Sequence, residues 1–181
     1  MFQEITAEEF GKEYNIMNIE KDWAAITADD GERRNSMIIG WAGLGILWRI
    51  PVFSVYIHAT RFSKQVFDNA KYYSVSILLG ENRTQHMKAL AYLGSKSGRD
   101  EDKMQGAEKL GLTAKEELID GEKVPYFAES DFVVFCRMRG MTDFDLNQMD
   151  APEAIMTWYG KEGVHTIYEG EIVKVLKREG K

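Results

Sequence analysis

The chain has 181 residues, enough for one domain with a full core, and 44% of them are hydrophobic against 29% charged. Its 23 Lys and Arg against 29 Asp and Glu leave a net charge of −6, which argues against a nucleic-acid backbone as principal partner. One cysteine, Cys136, excludes a disulfide framework and a cysteine-built zinc cluster.

In chain order, the start lacks a basic segment followed by an apolar run, so no signal peptide is expected. Thr6-Ala7-Glu8-Glu9 fits a capping box, and a short helix is expected to begin there. Residues 23–27 read as a strand, Asp29-Asp30-Gly31-Glu32 as a turn, and 36–41 as the returning strand of a hairpin. Gly43, Gly45 and Pro51 then interrupt the pattern. With Arg49 they also make 37–57 a poor membrane span, so no membrane partner and a cytoplasmic location are expected. Residues 52–57 are β-branched and aromatic and predict a buried strand.

After Thr60, the apolar residues Phe62, Val66 and Phe67 have helical spacing. Residues 72–79 return to strand composition. A helix is expected over 84–93, with Met87, Leu90 and Ala91 on one face and Gly94 as its stop. A second follows over 103–110. Asp120-Gly121 makes a turn between two short extended pieces within 117–126. Residues 132–138 and 164–176 are the last strands, with a short helix over 151–158 that has Pro152 near its start. No repeat or linker interrupts the chain, so residues 1–181 are expected to form a single domain. Many strands joined by turns predict a mainly β fold with inserted helices, a mostly antiparallel barrel.

Four segments carry candidate chemistry. Asn35 and Ser36 can hydrogen-bond a polar ligand, Met37 follows them, and Trp41 can stack on one or fill the core; Gly43 and Gly45 do not complete a dinucleotide fingerprint. Arg61 and Ser63 lie at a strand-to-helix transition, which suits an anion but is also an ordinary cap. The segment 94–103, with Ser95, Lys96, Ser97, Gly98, Arg99 and Lys103, combines small residues, hydroxyls and cations, which is phosphate-binding chemistry. It is not a P-loop, and by composition alone it reads as a solvated loop. Trp158, Tyr159 and His165 form the last group. His165 can donate a proton or a hydrogen bond near neutral pH, although a lone histidine is more often structural. His58 and His86 have still less around them, and no metal-ligand cluster emerges.

Taken in order, 35–45, Arg61-Phe62-Ser63, 94–103 and His165 with Gly170-Glu171-Ile172 resemble the flavin reductase-like family of FMN-binding split-barrel proteins, which includes flavoredoxins. The resemblance spans about 23–176. It implies a Greek-key split β-barrel, usually a homodimer, with FMN near the subunit interface. It also implies that Arg61, Ser63, Ser95, Lys96 and Ser97 surround the FMN phosphate and ribityl chain. Asn35, Ser36, Met37 and Trp41 would lie along the flavin, with His165, Trp158 and Tyr159 nearer its open face. Two positions depart from the pattern: Ile38 stands where many relatives have a hydroxyl, and His58-Ala59-Thr60 lacks the proline often found before this turn. The implied activity is an NAD(P)H:flavin reductase, in which NADH or NADPH passes hydride to flavin N5. The alternatives are an FMN-bound electron carrier serving a redox protein partner, and a non-redox module for another phosphorylated ligand.

Overall fold

The computed structural model describes residues 1–159 and 163–180. The main sheet is antiparallel and runs in the order β3 (Arg34–Ile39), β2 (Ala24–Asp29), β6 (Tyr72–Ile77), β9 (Phe132–Asp143), β10 (His165–Arg178), β5 (Ile50–His58), β4 (Ala42–Leu47). The first half of β10 pairs with β5, and its last residues pair with β1 (Phe2–Ile5).

The two edges, β3 and β4, are consecutive in the chain and separated only by Gly40 and Trp41. In a flat sheet six strand spacings would hold those edges about 29 Å apart. The three Cα–Cα steps from Ile39 to Ala42 reach at most about 11 Å. The sheet must therefore curl until its edges come close. They do not hydrogen-bond to each other, so the barrel is split between β3 and β4, and the connector crosses the split. The expected mainly β split barrel is the observed fold.

Strand alternation fills the interior with Ile26, Phe53, Ile57, Val75, Val134 and Tyr168. One end is closed by α1 (Ala7–Glu13), whose buried Phe10 packs on Phe53 and Phe132. Both halves of its capping box form: Glu9 N–H donates to Thr6 Oγ1 at 3.1 Å, and Thr6 N–H to Glu9 Oε2 at 2.7 Å. Outside the barrel, α5 (Met87–Ser95) and α6 (Lys103–Glu108) pack on β3 through Leu90, Leu93, Met104 and Ala107. The hairpin of β7 (Ala114–Ile119) and β8 (Glu122–Phe127) covers β6. There Ser74 Oγ donates to the Pro125 carbonyl at 2.6 Å, and Phe127 N–H donates to Ser76 Oγ at 3.2 Å. Three short helices complete the description: α2 (Ile19–Asp22), α3 (Phe62–Phe67) and α4 (Gly80–Gln85), with α7 (Pro152–Tyr159) before β10.

Several expected boundaries move. The segment around Gly43 and Gly45 is a regular strand, because β5 supplies its hydrogen-bond ladder despite the glycines. Gly94 does not stop α5, which runs to Ser95 with Lys96 as its C-cap. β3 begins at Arg34 and ends before Trp41, which is used in the connector. Among the described residues, no helix is long and apolar enough to cross a membrane.

Candidate functional site

Two cavities meet beside the split and share Met37, Ile38, Thr60 and Arg61. The first, about 410 Å³, has an aromatic wall of Trp41, Tyr56, His58, Trp158 and His165. The second, about 170 Å³, lies under the loop after α5 and is lined by Asn35, Ser63, Ser95, Lys96, Ser97 and Lys103, among others.

The aromatic end follows from strand alternation. Val55 and Ile57 of β5 point into the barrel, so Tyr56 and His58 point out, into the first cavity. His165 of β10 is the register partner of His58, and the two imidazoles sit edge to face at 5.0 Å. His58 Nδ1 accepts the Thr60 backbone N–H at 3.3 Å and lies 2.9 Å from Thr60 Oγ1. The Trp41 ring lies 5.0 Å from His165 and meets Trp158 edge-on at 4.9 Å. Tyr159 does not line the cavity itself; its hydroxyl is hydrogen-bonded to His165 Nδ1 at 2.9 Å.

Burial, with His58 and Arg61 nearby, pushes the His165 pKa down to about 4. At neutral pH the ring is uncharged, so it can orient a ligand by hydrogen bonding but holds no imidazolium proton to supply. The unfolded chain takes up that proton first, near the ordinary value of 6.5. Stability is therefore lost as pH falls from 6.5 toward 4, and this contribution is flat above 6.5. His165→Gln should reduce the loss between pH 7 and pH 4.5 by about 1–2 kcal/mol. Urea unfolding at both pH values checks this; equal losses in variant and parent would contradict it.

The polar end is built on β3 and the turn before α3. Asn35 Nδ2 donates to Ser63 Oγ at 2.7 Å, and both residues are buried. The loop above them is tied down by Arg99, whose Nη1 donates to the Thr60 carbonyl at 3.1 Å and whose guanidinium lies over Phe62. Gly98 sits so close to Phe62 and Asn35 that no Cβ fits there. Arg61, Lys96, Arg99 and Lys103 all line this cavity, and among the described residues no carboxylate lines either cavity. In a chain of net charge −6, that is a local concentration of positive charge suited to an anion.

The structure thus brings Asn35, Met37, Arg61, Ser63, Ser95, Lys96 and Ser97 to the polar end, and Met37, Trp41, Arg61, Trp158 and His165 to the aromatic end. Ser36 lies elsewhere. Alternation turns it to the opposite face of β3, where its Oγ accepts from Thr27 Oγ1 at 3.0 Å and donates to the Ile26 carbonyl at 3.1 Å. Tyr56 and His58 were not among the expected site residues, whereas Arg99 and Lys103 belong to the 94–103 segment already read as phosphate-binding chemistry. Alternation along β5 carries the signal for the first two. Among the described residues, no group of three or more acidic, histidine or cysteine side chains could hold a metal ion.

The model of the flavin reductase-like domain matches residues 18–181. A search of curated proteins gave no significant match. Similar solved structures include the FMN-binding protein from Thermus thermophilus with bound 1-cyclohex-2-enone (23% identity, TM-score 0.63, 87% of this chain and 71% of that one). Flavoredoxin of Desulfovibrio vulgaris (Miyazaki F) is 21% identical, with a TM-score of 0.61 over 87% of this chain and 69% of that one. The NADH:FAD oxidoreductase SgcE6 of Streptomyces globisporus C-1027 is 13% identical, with a TM-score of 0.61 over 87% and 75%. At these identities the likeness speaks for the fold. The match to the domain model covers nearly the whole chain and decides the family: the chain belongs to the flavin reductase-like domain family.

Proposed function

We propose that the joined cavities hold FMN, with its phosphate under the 94–99 loop and its ring system against Trp41, and that the chain is an NAD(P)H-dependent flavin oxidoreductase. One observation carries this reading: a cation-rich pocket, with no carboxylate among its described lining residues, adjoins an aromatic-walled one, and Arg61 borders both. That polarity matches a phosphate joined through a polyol to a planar ring. The missing room for a Cβ at Gly98 supports a cradle closed tightly around the polar end.

Bound FMN would supply the redox chemistry, taking up hydride from NADH or NADPH and passing electrons onward. The chain's own residues bind and orient. Arg61 and Lys96 attract the phosphate, and the Ser95 and Ser97 hydroxyls donate to it. The Asn35–Ser63 pair holds the floor rigid. Trp41 and Trp158 limit water at the ring, and the neutral His165, held by Tyr159, serves as a hydrogen-bond partner. No nucleophile is needed. FMN binding by the Thermus protein and the NADH:FAD oxidoreductase of Streptomyces globisporus support flavin chemistry on this fold. The reading includes a homodimer with FMN near its interface. The unpaired edge of β4, with Ile46 and Trp48 exposed beside it, supports such a partner.

The test is reconstitution with FMN, removal of excess, and anaerobic addition of NADH or NADPH. Loss of the visible flavin band is the expected result. Reduction by a redox protein but by neither nicotinamide would favour an electron carrier of flavoredoxin type. A chain that takes up no FMN but binds another phosphorylated compound would be a non-redox module.

A further inference from the structure

Among the described residues, α7 buries no side chain. Met156 and Trp158 are exposed, and Ile155 and Tyr159 are half-buried. A helix this short is marginal by itself in water, so it persists through what it rests on. Those supports come from its last two residues. The Trp158 ring meets Trp41 edge-on at 4.9 Å. Tyr159 lies parallel to the His58 ring at 6.1 Å, meets Phe144 edge-on at 6.2 Å, and shares a hydrogen bond of 2.9 Å with His165 Nδ1. Among the described residues, that is the one hydrogen bond from α7 to a group beyond residues 151–159. Trp41, His58 and His165 also line the first cavity. The groups that hold α7 are therefore the groups that wall the aromatic cavity. An aromatic pair and a neutral hydrogen bond each favour the docked helix by about two- to tenfold. That keeps α7 mostly docked but leaves an open state within thermal reach.

We propose that α7 is a cover over the aromatic cavity, latched by the Trp41–Trp158 contact and the Tyr159–His165 hydrogen bond, and that its opening sets how fast a planar ligand enters and leaves. This rests on the FMN reading for the identity of the ligand, but not for the latch itself. Such a cover has a kinetic signature. When the helix is docked both with and without ligand, weakening it raises the rates of capture and release by the same factor. Their ratio, the affinity, stays as it was. A side chain that merely touches the ligand changes that ratio, chiefly through release.

The test weakens the helix at Met156, which is 78% exposed and does not line the cavity. Met156→Gly and Met156→Ala both remove the long side chain, but glycine disfavours the helix by about four- to fivefold relative to alanine. Loaded with FMN and diluted, the glycine variant should release the flavin about fourfold faster than the alanine variant, and on mixing it should take FMN up about fourfold faster, both followed by flavin fluorescence. The two dissociation constants should agree within about twofold. Equal rates in the two variants, or a changed affinity without faster uptake, overturns the proposal. Tyr159→Phe keeps the ring and deletes the hydroxyl that bonds His165. In the ligand-free chain its α7 amides should exchange with deuterium about two- to tenfold faster than the parent's, while those of β6 and β9 keep parental rates. Unchanged exchange in α7, or exchange that rises throughout the chain, overturns the latch. This arm needs no flavin, which separates the proposal from the FMN reading. A chain that takes up no FMN yet frees α7 in Tyr159→Phe keeps the cover and loses the FMN assignment.

Discussion

Arg61→Ala is expected to weaken FMN binding about 10- to 100-fold, since a charge-assisted hydrogen bond contributes about 1.5–3 kcal/mol. Arg61 is the cation that borders both cavities, so its loss acts on the phosphate end and on the junction with the ring. The fold should tolerate the change, because Arg61 is exposed and precedes α3 rather than filling the core. One compensation is built in. Removing Arg61 also removes the repulsion that adds to burial in holding the Lys103 pKa down, so the remaining ammonium should stay charged to higher pH. Lys96→Ala should cost less, because that side chain is more than half exposed and already lies near Glu101. Equilibrium titration at fixed, low ionic strength measures both variants. An Arg61→Ala protein with parental affinity would remove this residue from the site.

Gly98→Ala is expected to lower FMN affinity more than tenfold while costing only about 1–3 kcal/mol of stability. An added Cβ would lie 2.5 Å from Asn35 Oδ1 and closer still to Phe62 Cδ1. Both neighbours are held, Asn35 by Ser63 and Phe62 under the Arg99 guanidinium. The loop must therefore lift, which withdraws Ser95, Lys96 and Ser97 from the cavity together. The stability cost stays modest because the loop is largely exposed. Parallel FMN titration and thermal unfolding would check this. Wild-type affinity in the variant would mean that the loop does not close the polar end.

The sequence disclosed those parts of the fold that local chemistry decides. The capping box at Thr6 and Glu9, the Asp29-Asp30-Gly31 turn with Gly31 at φ +90°, and the start of α7 at Pro152 all depend on a few neighbouring residues. Pieces decided by distant partners were harder to read. β1 exists because the far end of the long β10 offers it a ladder. β4, with two glycines, has weak strand propensity of its own and is a strand because β5 pairs with it.

The site divides in the same way. The four segments could be named in order, but composition does not show which side of a strand a residue faces. Asn35 and Ser36 looked equivalent as neighbouring polar residues. In a strand they cannot share a face, and Ser36 spends its hydroxyl on Thr27 and the Ile26 carbonyl. His58 looked isolated because its partner His165 is more than a hundred positions away and meets it only through strand register. Lys103 was legible as a cation of the 94–103 segment but not as a buried one. Its burial follows from how α6 packs against α5 and β3, which no local pattern discloses.

The most direct test of the FMN site is the flavin content of the purified chain after reconstitution and removal of excess cofactor. The expected result is a yellow protein that carries close to one FMN per chain and releases it unchanged on denaturation. A colourless, folded protein that takes up no FMN at neutral pH would contradict the account.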